Sequence, residues 1–177
     1  MPPYCYEFPR PAVTTDVASF SFVGDIAKIL LIQRRNPPFE GHWALPGGFI
    51  DPDEDLPTCA RREFAEETGL LIDNLSMVGA YSEPKRDPRG RTITFAYATI
   101  IGLKDKGMAR SAPAPNSDAA DARWFNLSEL PALAFDHDLI VRDAAKALAC
   151  AIEQNQPSSA NSTSLLNALR TFVAGRE

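Results

Sequence analysis

Residues 48–70 read GFIDPDEDLPTCARREFAEETGL, and three glutamates stand close together near the end of this stretch. Glu66 and Glu67 follow Glu63 by three and four positions. On a helix these offsets place all three carboxylates on one face. Their mutual repulsion costs about 0.2–0.5 kcal/mol per pair, and Mg²⁺, which prefers oxygen ligands, would relieve it. Taken alone, the triplet is more typical of a solvated acidic face, with the two preceding arginines as counter-charges.

The sequence around the triplet predicts a helix from Leu56 to Thr68. Asp55 is a suitable N-cap, and Gly69 is the type of residue that follows a helix end. Every fourth residue from Leu56 to Phe64 is apolar, which predicts one buried stripe. The glutamates would then lie beside this stripe.

The rest of the chain predicts an α/β domain. Enrichment in β-branched and aromatic residues predicts strands at 12–23, 27–33, 75–83, 92–103 and 123–125. The first two strands are expected to form a hairpin at the sheet centre, with a turn at 24–25. Apolar periodicity predicts a helix at 136–153, and a short terminal helix is expected at 165–173. Residues 154–164 are polar and of low complexity, which favours a flexible segment.

Composition narrows the class of protein. The 177 residues are 45% hydrophobic and 23% charged, as expected for one soluble globular domain. A net charge of −5 argues against broad electrostatic binding of nucleic acid. No apolar run is long enough to span a membrane, and the N-terminus lacks the apolar core of a signal peptide. Three cysteines without metal-site spacing argue against a disulfide framework, so a cytoplasmic location is expected.

Taken whole, residues 48–70 contain the pattern G-x5-E-x7-R-E-U-x-E-E-x-G-U, where U is a bulky apolar residue. The nine specified positions are filled by Gly48, Glu54, Arg62, Glu63, Phe64, Glu66, Glu67, Gly69 and Leu70. This pattern resembles the signature of the Nudix hydrolase superfamily. The resemblance implies a Nudix-type α/β/α sandwich with a mixed central sheet. It also implies hydrolysis of a nucleoside diphosphate linked to another moiety, with Mg²⁺ as cofactor and Mn²⁺ as a substitute.

The resemblance also implies roles for single residues. The metal ligands would be the carbonyl oxygen of Gly48 and the carboxylates of Glu63, Glu66 and Glu67. The catalytic residues would be Glu66, Arg62 and Glu63, with Arg62 holding Glu66 in place from one helical turn away. Glu54 is expected either to reach back to the helix or to act as a plain capping acid. The general base stays open among Glu66, Glu83, Asp118 and Asp121.

Stretches outside this pattern are similar to the ADP-ribose pyrophosphatase branch of the family. They are PFEGHWALPG at 38–47, YSEPKRDPRGR at 81–91, and ARWF at 122–125 followed by LAFDH at 133–137. This similarity implies cleavage of ADP-ribose to AMP and ribose 5-phosphate. The substrate-binding candidates are Arg86, Arg89, Arg91, Phe39 and Trp43, because arginine binds phosphate through a planar fork and aromatic rings stack on bases. The basic turn at 84–91 could equally be a solvated end of a hairpin, and Trp43 could equally be a core residue.

Two rival functions remain open at this point. One is the same chemistry on a nucleoside triphosphate, NADH or a nucleotide sugar, and the other is a non-catalytic ADP-ribose-binding module. A sister group of this branch consists of transcriptional regulators that carry an added winged-helix segment. We expect the residues that follow 154–164 to be too few to form such a segment. We expect no nucleic acid or membrane partner. The expected layout is an extended arm at 1–11, compatible with a homodimer, a Nudix hydrolase domain at 12–153, and a polar segment with a short helix at 154–177.

Overall fold

The computed structural model describes residues 6–23, 26–102, 118–155 and 160–175. Seven strands are present: β1 (Ala12–Val23), β2 (Ile26–Arg34), β3 (Trp43–Ala44), β4 (Gly47–Phe49), β5 (Ser76–Tyr81), β6 (Thr92–Ile100) and β7 (Ala119–Asn126). The described residues also form three α-helices: α1 (Leu56–Thr68), α2 (His137–Gln154) and α3 (Ala160–Ala174). A 3₁₀ turn at Leu127–Glu129 follows β7. The predicted turn at 24–25 and most of the loop before β7 lie outside the described residues.

The strands form one mixed sheet in the order β3-β2-β1-β6-β5, while β4 also pairs with β1 and β7 with β2. β1 runs parallel to β6 and antiparallel to β2, its partner in the predicted central hairpin. That prediction is confirmed. None of the described helices is both long enough and apolar enough to cross a membrane.

Alternating side chains of the central strands form two cores on opposite faces of the sheet. One core contains Val17 and Leu30 and packs against Ala60 and Phe64 of α1. The other core, built around Phe20, lies against α2 and α3. This two-sided burial follows from the period of two along a strand, and it gives the sheet helices on both faces.

Helix α1 has the predicted boundaries. The side chain of Asp55 accepts a hydrogen bond from the backbone N–H of Thr58 at 2.9 Å, as expected of an N-cap. Gly69 ends the helix with φ 72°, a left-handed conformation that glycine adopts without steric cost. These local signals fix where the three glutamates lie along the helix.

The C-terminal helix is longer than the predicted segment 165–173. Helix α3 begins at Ala160, so residues 160–164, for which flexibility was predicted, are helical. Its buried residues Leu165, Leu166, Leu169 and Phe172 belong to the core that contains α2. Packing of these residues on that core stabilises the whole helix, including residues 160–164, whose polar composition alone argues against a helix. The short strands β3 and β4 were not predicted as strands because two or three residues carry too little periodicity.

Candidate active site

A cleft of about 240 Å³ lies where β1, β4 and α1 meet the turn between β5 and β6 and the start of α2. Its charged lining is made of six carboxylate residues and two arginines: Asp16, Asp51, Glu63, Glu67, Asp87, Asp118, Arg34 and Arg89. A larger cleft of about 420 Å³ between β2 and α3 has no charged residue in its lining. Of these two clefts the smaller is the candidate site, because its lining offers groups that can perform acid, base or metal chemistry.

Glu67 is the most deeply buried carboxylate of this cleft, with 4% of its surface exposed. One of its oxygens accepts a hydrogen bond from the backbone N–H of Gly47 at 2.9 Å. Burial raises the pKa of Glu67 to about 8; the hydrogen bond from Gly47 lowers it, and the nearby carboxylates of Glu63, Asp16 and Asp118 raise it. A bound cation would reverse this balance, because it stabilises the charged carboxylate.

Glu63 lies one turn earlier on α1 and points toward β4. Its carboxylate accepts a hydrogen bond from Arg62 Nη1 at 2.7 Å, yet burial keeps its pKa above the ordinary range. A Cβ atom on Gly48 would collide with the Glu63 carboxylate. Gly48 therefore leaves room for the Glu63 carboxylate in its present orientation against β4.

Arg62 stabilises the acidic face through several ion pairs. Its Nη2 and Nε atoms donate to the two carboxylate oxygens of Glu54 at 2.6 and 3.1 Å, and Nη2 also donates to the carbonyl of Phe49. The hydrogen bonds from Arg62 hold the pKa of Glu54 down at about 2. Glu66, the partner expected from the sequence, lies 3.7 Å from Arg62 Nη1. Glu54 reaches back to the helix, as one of its two expected roles required.

The donor atoms of this wall suit a hard divalent cation. Glu63 and Glu67 line the cleft, and Gly48 of β4 lies against the Glu63 carboxylate; carboxylate and carbonyl oxygens are the ligands that Mg²⁺ prefers. The described residues contain no preassembled group of three acidic, histidine or cysteine ligands. Glu63 is hydrogen-bonded to Arg62, and 52% of the Glu66 side chain is exposed. Metal binding would therefore require these two side chains to turn toward Glu67.

The opposite wall contains two arginines beside one aromatic ring. The guanidinium carbons of Arg34 and Arg89 lie 4.9 and 5.6 Å from the centroid of the Phe135 ring. Arg34 Nε donates to the carbonyl of Pro38 at 2.8 Å, and Arg89 donates to both carboxylate oxygens of Asp87. Partial burial, and then the charge of Arg89, lower the pKa of Arg34. This wall thus adds two guanidinium groups to a cleft that is also lined by six carboxylate residues.

Arg86, predicted to bind substrate, is engaged within the protein instead of lining the cleft. Only 4% of its side chain is exposed, and its guanidinium binds the carboxylate of Asp136 through two hydrogen bonds of 2.6 and 2.9 Å. The same guanidinium lies 4.0 Å from Asp16, which accepts a hydrogen bond of 2.6 Å from Thr94. Arg86 therefore links the β5–β6 turn to the start of α2 and to the floor of the cleft.

His137 completes this buried network. Its Nδ1 atom accepts a hydrogen bond from the backbone N–H of Leu45 at 2.9 Å, so Nε2 carries the ring proton. Nε2 lies 3.6 Å from a carboxylate oxygen of Asp16. Burial lowers the pKa of His137, so the ring is neutral at pH 7 and lies beside Asp16 without adding charge.

Of the remaining predicted substrate-binding residues, Arg89 belongs to the cleft lining and the others do not. Arg89 lines it, whereas Arg91 donates to a backbone carbonyl at the start of its own turn. Phe39 packs edge-on against Phe135, with ring centroids 4.8 Å apart. Trp43 packs against Phe125 with ring centroids 4.6 Å apart and is half-buried beside the core. This position agrees with the alternative prediction that Trp43 is a core residue.

The three loop candidates for the general base are separated by the structure. Asp118 lines the cleft and accepts a hydrogen bond from Asn36 Nδ2 at 3.0 Å. Asp121 pairs with Arg123 at 2.5 Å, and Glu83 is exposed on the β5–β6 turn. Of these three, Asp118 alone is in the cleft lining.

Sequence reasoning missed several residues of this cleft, among them Asp16, Arg34, Phe135 and His137. Phe135 and His137 fall in the stretch 133–137 that resembled the ADP-ribose pyrophosphatase branch, and this was a usable signal. Asp16 is the one charged residue of β1, and a buried carboxylate in a strand is also unusual. Arg34 had no distinguishing signal, because it looks like any charged residue at a strand end.

Comparison with known proteins agrees with this geometry. The family described as NUDIX domain matches residues 14–144. The ADP-ribose pyrophosphatase of Methanocaldococcus jannaschii is 42% identical over 135 residues, which are 76% of this chain and 73% of that protein. The ADPR responsive transcriptional repressor NtrR of Acinetobacter baylyi is 37% identical over 78% of this chain and 54% of its own length.

A solved structure shows the same fold. The NUDIX domain of Shewanella oneidensis NrtR, crystallised with ADP ribose, superposes with a TM-score of 0.71 at 31% identity. The match covers 80% of this chain and 90% of that one. The α/β/α sandwich with a mixed central sheet, predicted from the sequence, is confirmed.

Proposed function

This chain belongs to the Nudix family and is a Nudix hydrolase, and we propose that it cleaves ADP-ribose to AMP and ribose 5-phosphate with Mg²⁺ as cofactor. The observation that carries the proposal is the single cleft that joins the buried carboxylates of Glu63 and Glu67 to the guanidiniums of Arg34 and Arg89. A diphosphate needs both, because its charge must be neutralised by a cation and by fixed donors. The 42% identity to an ADP-ribose pyrophosphatase supports the choice of substrate.

The reaction adds water across the bridging P–O–P bond. One phosphorus takes the water oxygen, the other phosphate leaves with the bridging oxygen, and the proton of the water passes to a base. Gly48, Glu63, Glu66 and Glu67 would hold the cation, which when bound neutralises the diphosphate and lowers the pKa of the attacking water. Mn²⁺ is expected to substitute for Mg²⁺.

The chain offers two acids as the general base. Glu66 lies on the acidic face of α1 with a half-exposed side chain that is free to turn. Asp118 lies in the cleft lining, and its carboxylate is held by Asn36. Either acid can take a proton from a water molecule that lies between its carboxylate and the diphosphate. A general base need only lie within hydrogen-bond reach of that water.

A second candidate function is ADP-ribose binding without turnover. The similarity to an ADPR responsive repressor and to a NUDIX domain crystallised with ADP ribose favours it over unrelated alternatives. The intact set of Glu63, Glu66 and Glu67 favours the enzyme, since a sensor has no need of metal ligands. Recognition of another nucleotide by the same chemistry is the remaining rival.

Product analysis tests these functions directly. The purified protein is incubated with Mg²⁺ or Mn²⁺ and with ADP-ribose, NADH, a nucleoside triphosphate or a nucleotide sugar, with an EDTA-treated sample as control. We expect AMP and ribose 5-phosphate from ADP-ribose, and no product in EDTA. Preferred release of pyrophosphate from the triphosphate, or binding of ADP-ribose without turnover across the whole metal titration, would overturn the proposal.

A further inference from the structure

The segment 45–47 leads from the end of β3 into the first residue of β4. Both of its backbone N–H groups are bonded by side chains, and the residue between them is a proline, which has no N–H. Leu45 donates to Nδ1 of His137, and Gly47 donates to a carboxylate oxygen of Glu67, each at 2.9 Å. Leu45 is only 2% exposed, so its N–H needs a partner within the protein. The backbone of this segment thus joins His137 to Glu67.

The segment 45–47 is packed tightly on β1. The carbonyl of Pro46 accepts a hydrogen bond from the backbone N–H of Val17 at 2.8 Å. A Cβ atom on Gly47 would collide with the backbone of β1, so the two strands approach as closely as a residue without a side chain allows. Close-packed parts of a protein transmit small displacements to their neighbours. A shift of Leu45 should therefore carry Gly47 with it.

His137 is well placed to hold the first of these two N–H groups. It is the first residue of α2 and is 4% exposed. The chain just before it follows β3, because Leu133 forms a bridge with Trp43 and the N–H of Ala134 donates to the carbonyl of Trp43 at 2.8 Å. On the other side of the ring, Nε2 faces a carboxylate oxygen of Asp16 at 3.6 Å. A buried ring with these two neighbours has one favoured orientation.

We propose that His137 is a positioning residue for Glu67 and acts through the backbone of residues 45–47. Nδ1 of His137 fixes the N–H of Leu45, and the segment then presents the N–H of Gly47 to the Glu67 carboxylate. Groups that orient a metal ligand affect metal affinity nearly as strongly as the ligand itself. The effect on metal affinity rests on the proposed function, in which Glu67 binds the cation, whereas the orientation of Glu67 in the metal-free protein does not.

Three substitutions of His137 separate the two ring nitrogens. His137→Asn keeps an acceptor at the position of Nδ1, because both atoms are bonded to Cγ. His137→Gln places its amide one bond farther out, at the position of Nε2, and leaves Leu45 without its acceptor. His137→Leu removes both polar atoms. Tyr81→Phe is the control, because it removes a 3.0 Å hydrogen bond to Asp143 of α2 and so weakens the attachment of this helix away from the segment 45–47.

Amide hydrogen exchange measured by NMR in EDTA tests the positioning without metal. The amides of Leu45 and Gly47 should exchange about tenfold faster in His137→Leu and His137→Gln, the scale of losing one hydrogen bond. His137→Asn and Tyr81→Phe should keep exchange at Gly47 close to that of the wild type. Faster exchange at Leu45 with no change at Gly47 would overturn the proposal, because the segment would not transmit the effect. Equal changes in the Asn and Gln variants would overturn it too, since packing of the ring would then be sufficient.

Calorimetric titration with Mn²⁺, in the absence of substrate, tests the consequence for the metal. The Kd for Mn²⁺ should rise about tenfold in His137→Leu and His137→Gln and should stay near the wild-type value in His137→Asn. Glu67→Gln gives the loss expected when the ligand itself is removed. Wild-type Mn²⁺ affinity in the Leu and Gln variants, with Mn²⁺ binding weakened by Glu67→Gln, would overturn the role of His137.

Failure of the metal proposal can be told apart from failure of the positioning. If the wild type binds no Mn²⁺, or if Glu67→Gln does not weaken the binding, Glu67 is not the metal ligand, and exchange at Gly47 still decides whether His137 positions it. Thermal unfolding of each variant accompanies both measurements. If His137→Leu does not fold, the Asn and Gln variants carry the same comparison, and equal Gly47 exchange in these two overturns the proposal.

Discussion

The two walls of the cleft are built in different ways. The acidic wall comes from one stretch, 48–70, in which Glu63, Glu66 and Glu67 lie on one helix and Arg62 pairs with the first two. The opposite wall is assembled from the end of β2, the β5–β6 turn and the start of α2, which only the folded sheet brings together. A local wall can be recognised from residue spacing, whereas an assembled wall depends on contacts across more than a hundred residues.

The walls also differ in what keeps them in place. Ion pairs of Arg62 with Glu54 and Glu63 support the acidic wall from within its own segment. The opposite wall depends on the buried pair of Arg86 with Asp136, far apart in sequence. We therefore expect damage to the first wall to affect chemistry, and damage to the support of the second wall to affect folding and substrate affinity together.

The largest effect is expected at the acidic wall. Glu66→Gln and Glu67→Gln should each lower kcat about 100-fold or more, the scale of losing a catalytic or metal-binding group. Glutamine keeps the volume of the side chain and removes only its charge. Steady-state kinetics at saturating Mg²⁺ measures the change, with Glu129→Gln, an exposed acid at the 3₁₀ turn, as control. Near-wild-type turnover in both variants would mean that this face is not the metal site.

The second effect concerns Arg86. Arg86→Ala leaves Asp136 without its partner beside the cleft, and we expect a loss of about 2 kcal/mol in the free energy of unfolding, below the value for a fully buried pair. For a chain of this size that lowers Tm by roughly 4–8 °C. KM should rise as well, because the β5–β6 turn carries Arg89 into the cleft. Thermal unfolding and steady-state kinetics on the same samples measure both.

A double-mutant cycle distinguishes positioning by Arg86 from direct substrate binding. Asp136→Asn should reproduce most of the loss in Tm and in KM, and the double variant should lose little more than either single one, since the two residues act as a pair. Arg86→Lys keeps the charge without the fork and should be intermediate. A higher KM in Arg86→Ala at unchanged Tm, with Asp136→Asn like the wild type, would return Arg86 to the role predicted from sequence.

What could be predicted from the sequence follows the same contrast between local and assembled structure. Helix α1 was predicted to the residue because its N-cap, its glycine end and its apolar period are all local. Helix α3 was predicted too short because its first turns are stabilised by the helix as a whole packing on α2, not by their own composition. The basic turn that contains Arg86 and Arg89 was recognised from the sequence. Which of its arginines faces the cleft could not be, because Arg86 is bound by Asp136, some fifty residues away in the chain.

The smallest effect should be a change of stability with pH at the support of the acidic wall. The pKa of Glu54 is lowered from 4.5 to about 2 by hydrogen bonds from Arg62. A carboxyl whose pKa is lower in the folded state stabilises the protein above its unfolded pKa, and this contribution is lost as pH falls from about 4.5 toward 2. Because 27% of the Arg62 side chain is exposed, we expect about 1–2 kcal/mol at pH 7.

Thermal unfolding of the wild type and Glu54→Gln in EDTA, between pH 7 and pH 3, measures this contribution. The wild type should be the more stable protein at pH 7, and the difference in Tm should narrow steadily below about pH 4.5. Glu153→Gln, which removes an exposed ion pair between α2 and α3, is the control and should show a small difference at every pH. A Glu54 difference that stays constant down to pH 3 would mean that the acidic wall is held by packing and not by its charges, and the contrast between the two walls would then lie in their assembly alone.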